Sequence, residues 1–223
     1  MTTSTVSIDQ SIFRPEPLES TAIVPRIALY HRFNEAGDFT AFVRSRGRIV
    51  QQISLHVASS NAPHQVNIDV AEASGEKPDC PCGPTDGTTT VLKGGVVGFF
   101  SSKGSLPYTV YVQRAGPDPN VVFNHEEGMP AGDLISTMLL LPGDYAALET
   151  NTSSRLPITV VRAPARPGNP RQLEPVIVGI GENGFSQDNL RIAAGQTIVF
   201  ACGVPVRVRV QRLLDPVPPG PAT

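Results

Sequence analysis

Apolar and polar residues alternate along Leu106–Arg114, which reads Leu-Pro-Tyr-Thr-Val-Tyr-Val-Gln-Arg. The same pattern recurs at Val204–Arg212, and both segments end in Val-Gln-Arg. Each follows a glycine-led apolar run, Gly94–Phe100 in the first case and Gly195–Phe200 in the second. An alternation with a period of two is typical of a strand with one buried face. We therefore predict that each run and the segment after it form a β-hairpin, and that this hairpin is repeated along the chain.

Two weaker copies of the pattern occupy Pro142–Val161 and Ile49–Val70. In all four copies a proline stands near the start of the second run, at positions 63, 107, 157 and 205. Proline is tolerated at the first residue of a strand, where its missing N–H group is not needed by the neighbouring strand. The intervals between these prolines, about 44, 50 and 48 residues, fall in the range of repeat architectures.

The fold class follows from the shortness of these runs. An apolar period of 3.6 residues is not sustained over a dozen positions anywhere in the chain, and only a single helical turn is expected, between Asn34 and Arg44. We predict an all-β fold with very little helix, built as one or two antiparallel β-sandwiches of Greek-key or jelly-roll type from the repeated hairpin unit. A small β-propeller is the second choice.

Proline-rich stretches divide the chain. Residues 1–25 are expected to form an extended arm, residues 26–162 a β-sandwich domain, and residues 163–172 a stiff linker or loop. Residues 173–214 then hold the second repeat of the β unit, which packs on or completes the sandwich. Residues 215–223 form a flexible tail.

Composition and charge narrow the range of partners. The chain has 223 residues with 22 prolines, 20 glycines, no tryptophan and a formal net charge of −2. Because this charge gives no general attraction to phosphate, nucleic acid is not expected as a partner. The most basic stripe that we identify in the sequence consists of Arg207 and Arg209 on one strand face with Arg212 behind them.

Two stretches of the sequence were compared with secretory and membrane-spanning segments, and neither fits. Met1–Ile8 lacks the basic and apolar regions of a secretory signal, and the apolar cluster Met138–Leu141 is too short to span a bilayer. We expect a soluble, cytoplasmic protein with no membrane partner.

The cysteines offer one candidate for metal or redox chemistry. Cys80 and Cys82 stand one residue apart, and His56 or His64 is available to complete a ligand set. Zinc sites normally use a wider spacing and a second pair of ligands, which the sequence does not provide. A turn with exposed or packed thiols is the preferred interpretation, and no cofactor is expected.

Two other local motifs were weighed. Ala194–Phe200 resembles one edge of cupredoxin-type domains, which implies a β-sandwich fold at that edge. Neither histidine nor methionine follows Cys202, although a blue-copper site requires such ligands. His125-Glu126-Glu127 lacks the second histidine of a zinc protease helix and is interpreted as part of a loop.

The function that we prefer from the sequence is non-catalytic binding. Exposed strand edges recognise an extended peptide or protein partner through main-chain hydrogen bonds, as an adaptor presenting a peptide to a modifying enzyme would do. The expected contact residues are Tyr108, Tyr111, Arg207, Arg209 and Arg212. A homo-oligomer, most simply a dimer, is also expected. The alternatives are a structural subunit of a virion or similar assembly, and a metal-dependent or redox enzyme that uses Cys80, Cys82 and a histidine.

Overall fold

The computed structural model describes residue 13 and residues 17–71, 87–102, 106–117, 119–163 and 173–213. These segments consist mainly of β-strands and contain no α-helix, so the prediction of an all-β chain with very little helix is confirmed. One 3-10 turn spans His125–Glu127. The strands are β1 Leu18–Glu19, β2 Ile27–Arg32, β3 Gly37–Ser45, β4 Arg48–Ala58, β5 Gln65–Asp69, β6 Thr88–Leu92, β7 Val96–Phe100, β8 Tyr108–Arg114, β9 Val121–Asn124, β10 Leu134–Met138, β11 Gly143–Glu149, β12 Arg155–Val161, β13 Val176–Gly181, β14 Gly184–Phe185, β15 Leu190–Ala193, β16 Thr197–Cys202 and β17 Val208–Arg212.

The described strands form three sheets. The seven-stranded sheet has the order β14-β13-β16-β10-β2-β7-β5. The first five-stranded sheet has the order β6-β4-β3-β8-β9, and the second has the order β1-β17-β11-β12-β15. Alternate residues of all three sheets belong to one apolar core, with Phe99, Phe123 and Phe200 among its largest fully buried side chains. The sheets therefore bury their inner faces against one another.

The pattern of strand pairing is the same in the two halves of the chain. β2 and β10 pair antiparallel at the centre of the seven-stranded sheet, and the strands on either side follow in matching order. β7 pairs antiparallel with β2 and parallel with β5, as β16 does with β10 and β13. The order β9-β8-β3-β4-β6 likewise matches β1-β17-β11-β12-β15, including the parallel outermost pair.

The predicted hairpins are wrong in three of the four copies. β7 lies in the seven-stranded sheet, whereas β8 lies in the first five-stranded sheet and pairs with β3 and β9. β16 and β17 are separated in the same way, and so are β4 and β5. β11 and β12 do pair directly. Alternation identifies a half-buried strand, but it carries no information on which strand lies beside it.

The antiparallel Greek-key or jelly-roll arrangement is also wrong, because the sheets are mixed. Four pairings are parallel: β4 with β6, β12 with β15, β5 with β7, and β13 with β16. Each parallel neighbour is reached by a connection that crosses to another sheet first. Since short strands with one buried face look alike in either direction, the sequence pattern does not distinguish the two.

The helical turn expected between Asn34 and Arg44 is a strand. In β3 the side chains of Phe39, Ala41 and Val43 are buried and alternate with more exposed neighbours. The predicted linker after Ala163 and the predicted tail lie outside the described residues, as does most of the arm before residue 17. The described end of the arm is not separate from the domain, because β1 pairs with β17.

Matching glycines begin β3 and β11. Gly37 has φ +142° and Gly143 has φ +143°, values that L side chains rarely adopt. A Cβ atom at Gly37 would lie 3.2 Å from the Arg114 guanidinium, and one at Gly143 would lie 3.1 Å from that of Arg212. In both halves the absence of a side chain on the glycine therefore lets the arginine of the neighbouring strand pack against the first residue of β3 or β11.

A buried hydrogen-bond chain joins the two five-stranded sheets. The N–H group of Val110 on β8 donates to Nε2 of His125 at 2.8 Å, and Nδ1 of His125 donates to the carbonyl of Ser20 at 2.9 Å. Ser20 in turn exchanges hydrogen bonds with Val208 on β17, through its backbone N–H at 2.9 Å and its hydroxyl at 3.0 Å. His125 and Ser20 are 0% and 1% exposed. The two nitrogen roles fix the neutral Nδ1–H tautomer.

We expect Gly37→Ala to lower the free energy of unfolding by roughly 1–3 kcal/mol, because a side chain at that φ strains the backbone and crowds Arg114. Gly181→Ala is the matched control, since a Cβ atom there has nothing within 4 Å and the backbone is unstrained. Urea unfolding of the three proteins measures the difference. Equal losses in both variants would contradict the prediction.

The stability of the protein should fall as the pH drops from 6.5 to about 4. Burial lowers the pKa of His125 from 6.5 to about 4, and its hydrogen bond to Ser20 offsets only part of this effect. Between these two pH values the unfolded chain binds a proton that the folded chain does not. The free energy of unfolding therefore has its full value above pH 6.5, and it stops falling below about pH 4. The total loss is about 3 kcal/mol.

Chemical unfolding at a series of pH values, with His125→Gln beside the unmodified protein, checks this expectation. The variant is less stable at neutral pH, but its stability should change less across the window because the titrating group is gone. Parallel pH profiles for the two proteins would show that His125 is not the cause.

Candidate functional site

A wide groove lies beside the turn between β3 and β4. It has a volume of about 680 Å³ and opens to solvent. Its lining residues are Ser45, Arg46, Arg48, Val50, Ala71, Leu106 and Tyr108. The groove therefore brings together the tip of one hairpin, the end of β5 and the start of β8.

The hairpin tip is shaped by a two-residue turn. Arg46 and Gly47 have φ values of 51° and 74°, and Ser45 pairs with Arg48 across the turn. Positive φ at both central residues is the signature of the type I′ turn, whose twist matches that of the two strands. The hydroxyl of Ser45 donates to the carbonyl of Pro107 at 3.2 Å. This bond holds the hairpin tip against the start of β8.

Part of β4 has an unpaired edge within the described structure. β6 pairs with β4 only along Ser54–Ala58, so residues 48–53 have no described strand on that side. Ile49 and Val50 in this stretch are 53% and 44% exposed, which is unusual for large aliphatic side chains. An open strand edge next to exposed apolar side chains is a template for pairing with another extended chain.

The groove is positively charged at its rim. Among the described residues, Arg46 and Arg48 have no carboxylate partner, although the chain as a whole carries a net charge of −2. Arg44 differs, because it lies 3.7 Å from Glu126 and 4.3 Å above the ring of Tyr111. Since the guanidinium groups of Arg46 and Arg48 have no described carboxylate partner, they favour an acidic ligand.

The sequence-predicted contact residues are not brought together. Tyr108 lines the groove and forms an isolated bridge with Ile23. Tyr111 lies on the same strand, stacked on Phe42 at 4.8 Å, outside the groove lining. Arg209 and Arg212 lie on β17 in the second five-stranded sheet, and Arg207 immediately precedes that strand.

Those arginines have local structural partners. Arg209 lies 3.4 Å from Glu19 on β1, and Arg212 donates to the carbonyl of Pro142 at 3.0 Å. Arg207 is exposed, and its carbonyl accepts the N–H of Thr150 at 3.1 Å. β8 and β17 each have a strand on both sides, although β1 covers β17 only at Arg209 and Val210.

The arginines at the hairpin tip were missed by the sequence reasoning. Arg44, Arg46 and Arg48 form the segment Arg-Ser-Arg-Gly-Arg, in which basic residues recur at every second position around a glycine. That spacing, followed by Ile49 and Val50, is the signal for a basic hairpin tip next to an apolar edge.

The described residues offer no metal centre. Cys80 and Cys82 lie outside them, and within the described ranges no group of three or more metal-ligating side chains occurs. His56 places Nδ1 2.7 Å from the carboxylate of Asp38, and His64 contributes its carbonyl to the N–H of Val96. Burial, with the nearby charge of Asp133, raises the pKa of the Cys202 thiol to about 12, so this thiol is not poised to form a thiolate.

In the part of the chain that the structure describes, no helix is long and apolar enough to cross a membrane. Comparison with models of protein families, with curated proteins and with solved structures found no match.

Proposed function

We propose that this chain is a non-catalytic binding protein that receives an extended acidic peptide along the open edge of β4. The observation that carries the proposal is the stretch 48–53, which has no described strand partner on one side, borders the groove of about 680 Å³ and exposes Ile49 and Val50. Main-chain hydrogen bonds to this edge supply affinity for any extended segment. Side chains of the added strand that point into the groove supply selectivity.

The charge of the groove supports an acidic partner. Arg46 and Arg48 gain a carboxylate partner on binding without first breaking an ion pair in the described structure. Charge complementarity at an exposed rim contributes to association rate and selectivity more than to raw affinity. The aliphatic side chains of Ile49 and Val50 lose water when a peptide strand covers them, which adds the apolar part of the binding energy.

A comparison of the two halves supports locating function in the first. We propose that the matched strand pairing reflects an internal duplication. The hairpin β3–β4 extends as the basic tip described above, whereas the corresponding loop after β11 is closed on itself. There the buried carboxylate of Glu149 accepts hydrogen bonds from the N–H groups of Asn151 and Thr152 at 2.8 and 2.7 Å. On the matching side, β12 lacks a described strand partner only along residues 155–157, so the longer open edge and its basic tip belong to the first half.

Selection of displayed ten-residue peptides on the purified protein tests the proposal. Acidic peptides with alternating apolar residues should be enriched. Basic peptides with the same apolar residues should not. Backbone amide shifts of residues 48–53 should move on titration of a selected peptide. Failure to enrich any peptide, or shifts confined to another sheet, would contradict the proposal.

The variant Arg46→Glu/Arg48→Glu should weaken a selected acidic peptide by at least about tenfold, because two attractions become repulsions. Arg207→Glu is the matched control: it reverses the charge of an exposed arginine just before β17, outside the groove, and should leave affinity unchanged. Analytical ultracentrifugation of the peptide-free protein tests whether a second copy of the chain occupies this edge instead of a peptide. A dimer whose 48–53 amides are protected would show that a second copy, and not a peptide, takes this edge.

A further inference from the structure

His31 is a buried histidine that lies outside the proposed peptide groove. It is 8% exposed and belongs to β2, an inner strand of the seven-stranded sheet. Its ring stacks on Phe123 at 4.4 Å and meets the edge of Phe33 at 4.8 Å. Aromatic contacts on a face and an edge hold the ring in one orientation.

One nitrogen of this ring is fixed by a buried carboxylate. Nδ1 lies 2.7 Å from Oδ2 of Asp133, which is 2% exposed, and Oδ1 of Asp133 accepts the backbone N–H of Arg32 at 3.0 Å. An ionised carboxylate only accepts hydrogen bonds, so Nδ1 carries the proton and Nε2 of the neutral ring is an acceptor. Within the described structure Nε2 has no hydrogen-bond partner. It is also not fully enclosed by protein atoms.

His31 lines a small pocket next to β2. The pocket has a volume of about 210 Å³ and is lined by His31 with Arg32, Asn120 and the apolar side chains of Phe39 and Val122, among others. This volume is below the roughly 300–1,000 Å³ of pockets that hold drug-sized ligands, so the ligand is smaller than a nucleotide or a peptide.

The pocket contains one positive charge that lacks a carboxylate partner. Arg32 donates one N–H to the carbonyl of Gly94 at 3.1 Å and, among the described residues, makes no ion pair. The second arginine of the pocket, Arg114, is paired with the carboxylate of Glu35. The remaining N–H groups of Arg32 therefore favour a single carboxylate, for which the guanidinium fork is suited.

From these observations we infer that the pocket binds a small hydroxycarboxylic acid. The ligand hydroxyl donates to Nε2 of His31, whose orientation is set by Asp133, and the ligand carboxylate pairs with Arg32. A short apolar body lies against Phe39 and Val122. The site is independent of the β4 edge, so it stands or falls without the peptide-binding proposal.

Three matched probes test the inference by nuclear magnetic resonance titration of the whole chain: lactate, propionate and lactamide. Propionate lacks the hydroxyl and lactamide lacks the charge. Lactate should bind at least about tenfold more tightly than either, with shifts at the His31 side chain. Equal affinities for the three, or lactate binding that leaves His31 unperturbed, would overturn the inference.

Two variants assign the contacts. His31→Phe keeps the aromatic stacking and should abolish the advantage of lactate over propionate. Arg32→Gln changes an exposed side chain and should abolish the advantage of lactate over lactamide. His64→Phe, at an exposed histidine outside the pocket, should change neither.

Removal of His31 leaves Asp133 buried without its partner, so a thermal melt checks that this variant folds. The Arg32→Gln comparison decides the outcome even if His31→Phe does not fold. An unchanged ratio between lactate and lactamide in that variant would refute the ligand that we infer.

Discussion

The hydrogen bond between His125 and the carbonyl of Ser20 is the link on which the arrangement of the sheets depends. His125 receives the N–H of Val110 on one five-stranded sheet, and Ser20 is bonded to Val208 on the other. Because all these groups are buried, none has water as an alternative partner, and loss of one link leaves several polar atoms unsatisfied. At this point the two sheets are joined through the side chain of His125 and through the backbone and hydroxyl of Ser20.

The sequence predicts the strands better than it predicts their neighbours. The alternation at Leu106–Arg114 and Val204–Arg212 does identify β8 and β17, and these strands occupy matching positions in the two five-stranded sheets. The predicted strand neighbours are wrong because the nearest strand in sequence is not the nearest strand in space. Seven residues after Phe100 are enough for the chain to cross from one sheet to another, and the pattern of side chains is the same on either route.

The candidate site coincides only in part with the contact residues that the sequence predicts. Tyr108 is predicted at a binding surface and lines the groove of about 680 Å³, whereas the predicted arginines lie on or just before β17 and not at the β3–β4 tip. Alternation cannot show whether a strand edge is already occupied. The second pocket was beyond reach for another reason: His31 and Asp133 are 102 positions apart, and neither stands in a recognisable motif.

The antiparallel pairing of β2 with β10 has a consequence for how the chain is cut. A fragment that stops before β10 would expose the edge of β2, a central strand with buried Ile27 and Leu29, to solvent. Since the neighbours of β2 match those of β10, two such fragments would offer each other equivalent edges in the antiparallel sense. The covalent chain thus has the pairing geometry of a closed dimer, in which a polypeptide link fixes the local concentration of the two halves.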